Sequence, residues 1–212
     1  MQRDQVRLYA VTDDKWEEEE KMLMQVEAAL KGGVTLVQLR KKKRTEKELL
    51  SLAQKMKELC HRYQVPLLIN DSVEIAKAVD ADGVHLGQSD GSIAEARAVL
   101  GTDKIIGASV KTVAQAEKAK KEGADYFGVG AAFATSTKQD ASVIPHERYA
   151  MIKEVGLPVV AIGGIHAGNL LELSGSGIDG VALISAIFSA PDIEKECHKL
   201  RGLVEQVRGA NR

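Results

Sequence analysis

Gly83-Val84-His85-Leu86-Gly87-Gln88-Ser89-Asp90 begins as a short apolar run and ends in polar side chains. Seven other stretches carry a similar short apolar run, each closed by a polar residue or glycine. They are Arg7-Leu8-Tyr9-Ala10-Val11-Thr12, Leu36-Val37-Gln38-Leu39-Arg40, Pro66-Leu67-Leu68-Ile69-Asn70 and Lys104-Ile105-Ile106-Gly107-Ala108-Ser109. Tyr126-Phe127-Gly128-Val129-Gly130, Pro158-Val159-Val160-Ala161-Ile162-Gly163 and Gly180-Val181-Ala182-Leu183-Ile184-Ser185 complete the set. Near-continuous apolar runs of this length suit parallel strands buried on both faces.

Between the runs lie helix-periodic segments. Trp16 to Lys31 carries Met22, Val26, Ala29 and Leu30 at helical spacing. Thr45, with Glu48 three residues on, forms a capping box before Leu49, Leu52, Ala53 and Met56. Thr112 to Glu122 ends at Gly123, a natural stop. Strict alternation of strand and helix predicts a parallel sheet with right-handed crossovers. Eight such units close most naturally into one α/β domain, a (β/α)8 TIM barrel over residues 1–212. A doubly wound open sheet would call for a GxGxxG after the first strand, and none is there. Ala81-Asp82-Gly83, Ala124-Asp125-Tyr126 and Ile178-Asp179-Gly180 echo one another before even-numbered strands.

The 212 residues are 44% hydrophobic and 28% charged, with a formal net charge of -1. That balance gives no global attraction to nucleic acid or an anionic membrane, so anion recognition must be local. Cys60 and Cys197 stand far apart in no metal-type spacing, which predicts two buried or half-buried thiols in a reducing cytosol. No signal peptide is visible, and the most apolar stretch, Val181 to Phe188, is too short to span a bilayer.

Barrel active sites are built at the C-terminal ends of the strands. Asp71 and Asp90 follow the third and fourth strands, beside Asn70 and Gln88. A carboxylate pair there suits Mg²⁺, which takes one or two carboxylates plus substrate phosphates. The plainer reading makes each an N-cap of the next helix. Arg40 ends the second strand and alternates with Gln38, so both face inward if one does. An inward charge needs a partner or an anionic ligand. Lys138 and the hydroxyl cluster Thr135-Ser136-Thr137 sit in the loop after the sixth strand, where a surface turn and a phosphate cradle are both open. Gly163-Gly164, facing Ile184-Ser185-Ala186, matches the phosphate site that barrels form after strands seven and eight, although a purely geometric turn has the same glycines. Histidines are assigned no ligand role; His85, mid-strand, reads as a barrel-layer residue or one that supports a neighbouring site residue.

These pieces, in this order, resemble the thiamine-phosphate synthase family. The resemblance runs from Leu8-Tyr9-Ala10-Val11-Thr12-Asp13 to Ile184-Ser185-Ala186-Ile187. It implies a transferase that joins a hydroxymethylpyrimidine diphosphate to a thiazole phosphate, releasing diphosphate. It further implies Mg²⁺ on Asp71 and Asp90. Gln38, Leu39, Arg40, Lys41, Lys42, Asn70, Ser109 and Lys138 would hold the pyrimidine diphosphate, with Arg40, Lys42, Ser109 and Lys138 catalytic. Thr135, Ser136, Thr137, Gly164, Ile184 and Ser185 would hold the thiazole phosphate. Small phosphorylated molecules are then the partners, and homo-oligomerisation stays open. Lys41 stands where the family usually has an acid, and Ala131 and Ala134 where it usually has prolines. A thiazole tautomerase of the same fold would not need the full charged set. A non-catalytic regulatory barrel would show gaps in it.

Overall fold

The computed structural model describes residues 1–16, 18–41, 44–135 and 143–210. Eight parallel strands close into a barrel in sequence order. They are β1 (Leu8–Val11), β2 (Leu36–Leu39), β3 (Leu67–Asn70), β4 (Gly83–Leu86), β5 (Ile105–Val110), β6 (Tyr126–Gly130), β7 (Val159–Ile162) and β8 (Gly180–Leu183). The helices are α1 (Glu19–Lys31), α2 (Glu46–Arg62), α3 (Val73–Ala78), α4 (Ile93–Leu100), α5 (Val113–Lys121), α6 (Glu147–Lys153), α7 (Ser185–Phe188) and α8 (Ile193–Ala210). A 3-10 turn, Leu170–Leu173, stands between β7 and β8. The (β/α)8 expectation is met. No helix among the described residues is long and apolar enough to cross a membrane.

Helix starts follow local chemistry. Thr45 Oγ1 accepts from the Glu48 amide, while Glu48 Oε2 accepts from the Thr45 amide at 2.9 Å. The predicted box is therefore closed from both sides. The α1 boundary differs from the sequence expectation by three residues. Trp16 stays outside the helix because its ring packs edge-on against Phe188 at 4.8 Å and its Nε1 donates to Gln25. Cys60 and Cys197 are buried free thiols, and burial pushes both up to about 12.

Alternation splits each strand between two cores. Outward residues pack under the helices. Inward, Tyr9, Leu36, Leu68, Tyr126, Val160 and Ala182 join in one cluster inside the barrel. Glycines inside the barrel make room for two of its inward rings, Tyr126 and His85. A Cβ on Gly107 would lie 2.2 Å from the Tyr126 ring, and one on Gly128 would lie 3.0 Å from His85. The wide side chains of β6 and β4 thus occupy space that β5 and β6 leave empty.

The repeated Asp before β4, β6 and β8 has a structural purpose. Asp82, Asp125 and Asp179 each accept from an amide at the start of the preceding strand: Leu67 at 2.8 Å, Ile106 at 2.7 Å and Val159 at 2.8 Å. Thr35 does the same for Leu8 at 3.1 Å before β2. Each carboxylate also meets a cation or imidazole from the helix layer, namely His61, Arg97 and Lys153. The device stitches each odd strand to the next even one at the end of the barrel opposite the polar strand ends. Asp125→Ala strands the buried Ile106 amide and releases Arg97. We expect a loss of about 2 kcal/mol in chemical denaturation, the cost of an unsatisfied buried donor. An unchanged unfolding midpoint would contradict this role.

Candidate active site

Closure carries the inward positions of β2 to β5 onto one patch of the barrel mouth. Asn70 lies opposite His85 in register, and His85 opposite Gly107. Gln38 is buried inside the barrel, donating from Nε2 to the Tyr9 hydroxyl. Its inward orientation continues by alternation to Arg40. The Arg40 backbone is clasped by Thr12, whose Oγ1 accepts from the Arg40 amide at 2.9 Å and donates to the Arg40 carbonyl at 3.2 Å. Among the described residues, the half-buried Arg40 has no carboxylate within ion-pair distance. An anionic ligand is what such a guanidinium lacks.

The two aspartates are not helix caps. Ser72 caps α3, accepting from Ile75, and Ser92 caps α4, accepting from Glu95. Asp71 instead adopts a left-handed conformation (φ 57) and receives the Asn70 side-chain amide at 2.8 Å. Its own amide bonds the His85 carbonyl of β4 at 3.0 Å, tying the β3 and β4 ends together. Asp90 folds back so that Oδ2 accepts from the Gly87 amide at 2.7 Å. A left-handed non-glycine residue costs energy and is common at functional sites. Among the described residues, no three His, Cys, Asp or Glu side chains form a metal-holding group. Two carboxylates completed by substrate oxygens match the way Mg²⁺ is usually held.

On the other side of the mouth lies a cleft of about 450 Å³. It brings together Thr135 after β6, Gly164 after β7 and Ser185 at the start of α7. Ile184 stands at the N-cap of α7, where no side chain caps the helix. Gly163 (φ 98) and Gly164 (φ 68) are both left-handed. A Cβ on Gly164 would lie 2.5 Å from the Ala134 carbonyl oxygen, so the turn needs glycine whether or not an anion binds. The same absence of side chains leaves backbone N–H groups approachable.

Not every expected residue reaches the mouth with its side chain. Leu39 packs in the core between barrel and helices. Lys41 is buried, with Nζ donating to the Trp16 carbonyl at 2.7 Å, and burial lowers its pKa. Only their backbones adjoin the site. Lys42, Ser136, Thr137 and Lys138 lie outside the described residues.

Sequence reasoning missed His166 and Asn169, which line the cleft. Asn169 Nδ2 donates to the Gly164 carbonyl at 2.9 Å and so braces the turn. It also missed the tyrosines beneath the mouth. Tyr126 bonds His85 Nδ1 at 2.7 Å, and His85 Nε2 bonds Ser109 at 2.9 Å. Burial lowers the His85 pKa to about 4 and raises both tyrosines. Strand alternation with Gly128 would have turned Tyr126 inward, but the match with Tyr9 lies 117 residues away.

Comparison with known proteins fits this geometry. The thiamine monophosphate synthase family matches residues 8–187. A thiamine-phosphate synthase of Methanobrevibacter smithii is 50% identical over 89% of this chain and 91% of its own. One from Ruminiclostridium cellulolyticum is 47% identical over 91% and 92%. The solved thiamine phosphate pyrophosphorylase of Pyrococcus furiosus superposes with a TM-score of 0.87 at 40% identity, covering 97% of this chain and 98% of that one. With family match, length and barrel in agreement, the chain belongs to the thiamine-phosphate synthase family and is a transferase.

Proposed function

We propose that the chain condenses 4-amino-2-methyl-5-(diphosphooxymethyl)pyrimidine with thiazole phosphate, giving thiamine phosphate and diphosphate, with Mg²⁺ held by Asp71 and Asp90. The observation that carries this reading is one barrel mouth with two unlike anion-ready regions. One has the Arg40 guanidinium, which meets no carboxylate among the described residues, after β2, and Asp71 and Asp90, which cap no helix, after β3 and β4. The other is a glycine turn facing the uncapped start of α7.

In the reaction the thiazole nitrogen attacks the pyrimidine methylene, and the bond from methylene to diphosphate oxygen breaks. The electron pair leaves with diphosphate. The nitrogen has no proton to lose, so no general base is required. The demanding event is charge accumulating on the leaving group, which calls for electrostatic stabilisation. Arg40 meets that charge with a planar fork, and the Ser109 hydroxyl donates to it. Mg²⁺, when bound, neutralises phosphate oxygens. By family resemblance, Lys42 and Lys138 add two further cations, Gln38 and Asn70 position the pyrimidine diphosphate, and Leu39 and Lys41 contribute backbone. Thr135, Gly164, Ile184 and Ser185, with Ser136 and Thr137, hold the thiazole phosphate. The reading puts the reaction in the cytoplasm and takes small phosphorylated molecules as its substrates.

Incubation of both substrates with Mg²⁺ should yield thiamine phosphate and diphosphate, read by chromatography. Absence of product across metal ions and pH would refute the assignment. Asp71→Asn keeps a residue type that tolerates the left-handed conformation. It should leave the melting temperature nearly unchanged and lower Mg²⁺-dependent turnover by ~10² or more. Ser72→Ala removes the α3 cap and should do the reverse, costing about 1 kcal/mol of stability with turnover retained. Equal losses of stability and turnover in Asp71→Asn would remove the metal role.

A further inference from the structure

Beneath the mouth runs one continuous line of hydrogen bonds through five strands. Gln38 Nε2 on β2 donates to the Tyr9 hydroxyl on β1. Tyr9 meets the Tyr126 hydroxyl on β6 at 3.0 Å, and Tyr126 meets His85 Nδ1 on β4 at 2.7 Å. His85 Nε2 reaches Ser109 Oγ on β5 at 2.9 Å. Tyr9, Gln38 and Tyr126 are at most 4% exposed, so these groups have little recourse to water.

The direction of the line follows from giving every buried proton in it an acceptor. An amide nitrogen donates and cannot accept. Tyr9 therefore accepts from Gln38, and its single proton goes to Tyr126. Tyr126 accepts that bond, so its own proton goes to His85 Nδ1. A ring nitrogen that accepts carries no proton, which leaves the proton of His85 on Nε2. Nε2 then donates to Ser109 Oγ, and the Ser109 proton is turned away from the line. Each step follows from the one before, and the direction is set at the Gln38 end.

We propose that Tyr9, Tyr126 and His85 are positioning residues that hold the Ser109 hydroxyl as a hydrogen-bond donor toward the diphosphate-bearing substrate. None of the three needs to touch substrate. The proposal rests on the functional reading above for what Ser109 meets. The internal order of the line does not depend on that reading. An acceptor-only ligand such as a phosphate oxygen is matched by a serine that can only donate, and mismatched by one whose proton is spent on histidine. The glycines opposite Tyr126 and His85 belong to the same arrangement, because side chains there would displace the two rings.

Two measurements test this. Long-range ¹H–¹⁵N correlation spectra of the ¹⁵N-labelled full chain report the His85 tautomer, assigned by the signal lost in His85→Gln. The expected result is a single Nε2–H tautomer that becomes a mixture in Tyr126→Phe. A dominant Nδ1–H tautomer in the unaltered protein overturns the proposal, whether or not the protein makes thiamine phosphate. The second measurement is a double-mutant cycle on product formation. Tyr126→Phe keeps the ring in its glycine-lined space and should lower kcat/KM for the pyrimidine diphosphate about tenfold, the order of one hydrogen bond. The KM for thiazole phosphate should not change. In a Ser109→Ala background the same substitution should cost nothing further. Additive losses would mean that Tyr126 acts on folding or elsewhere in the site, and would overturn the positioning role while leaving the assignment of the reaction standing.

Discussion

Closure of the barrel is the constraint on which the rest depends. Eight short strands, four to six residues each, leave no unpaired edge because β1 pairs with β8 as well as β2. Closure also fixes which residues meet. Parallel register with inward-outward alternation sends Gln38, Asn70, His85 and Ser109 to one mouth from four different strands. At the opposite end, Thr35, Asp82, Asp125 and Asp179 fasten odd strands to even ones. Stability devices and chemistry thus occupy opposite ends of the same strands, the division expected of this fold.

The mouth is asymmetric because its strands end differently. The β3 and β4 ends turn sharply, Asp71 into a left-handed conformation and Asp90 back onto Gly87. Those turns free two carboxylates from the capping role that Ser72 and Ser92 take. The β7 end turns on two left-handed glycines and presents backbone in place of side chains. The proposed metal-assisted diphosphate and backbone-bound monophosphate make different demands, and the two halves of the mouth differ in kind: side-chain charge on one, exposed backbone on the other.

Much of this was legible in the sequence because strands buried on both faces read as apolar runs. All eight runs became strands, with ends shifted by a residue or two. Pro66 and Pro158, counted in the runs, fall just outside β3 and β7. Their carbonyls still accept from Val37 and Phe127, but proline has no N–H to offer in return. The choice of cap was not legible. Asp71-Ser72 and Asp90-Gly91-Ser92 each offer two good cap residues within three positions, and only the folded turn selects between them. The Asp echo before even strands was visible, but its partners were not, since each amide lies on another strand. The tyrosine pair was beyond reach for the same reason. Local sequence carries periodicity and caps, while contacts across the barrel appear only after closure.

The account centres on Mg²⁺ and diphosphate at the β2–β4 side of the mouth and monophosphate at the β7–β8 side. A crystal structure of the protein with thiamine phosphate, Mg²⁺ and diphosphate tests it most directly. The predicted result is a metal ion within ~2.1 Å of carboxylate oxygens of Asp71 and Asp90. Diphosphate should lie on Arg40 and Ser109, and the product phosphate on Gly164 and Ser185. A metal bound elsewhere, or both phosphate groups gathered on one side of the mouth, would contradict it.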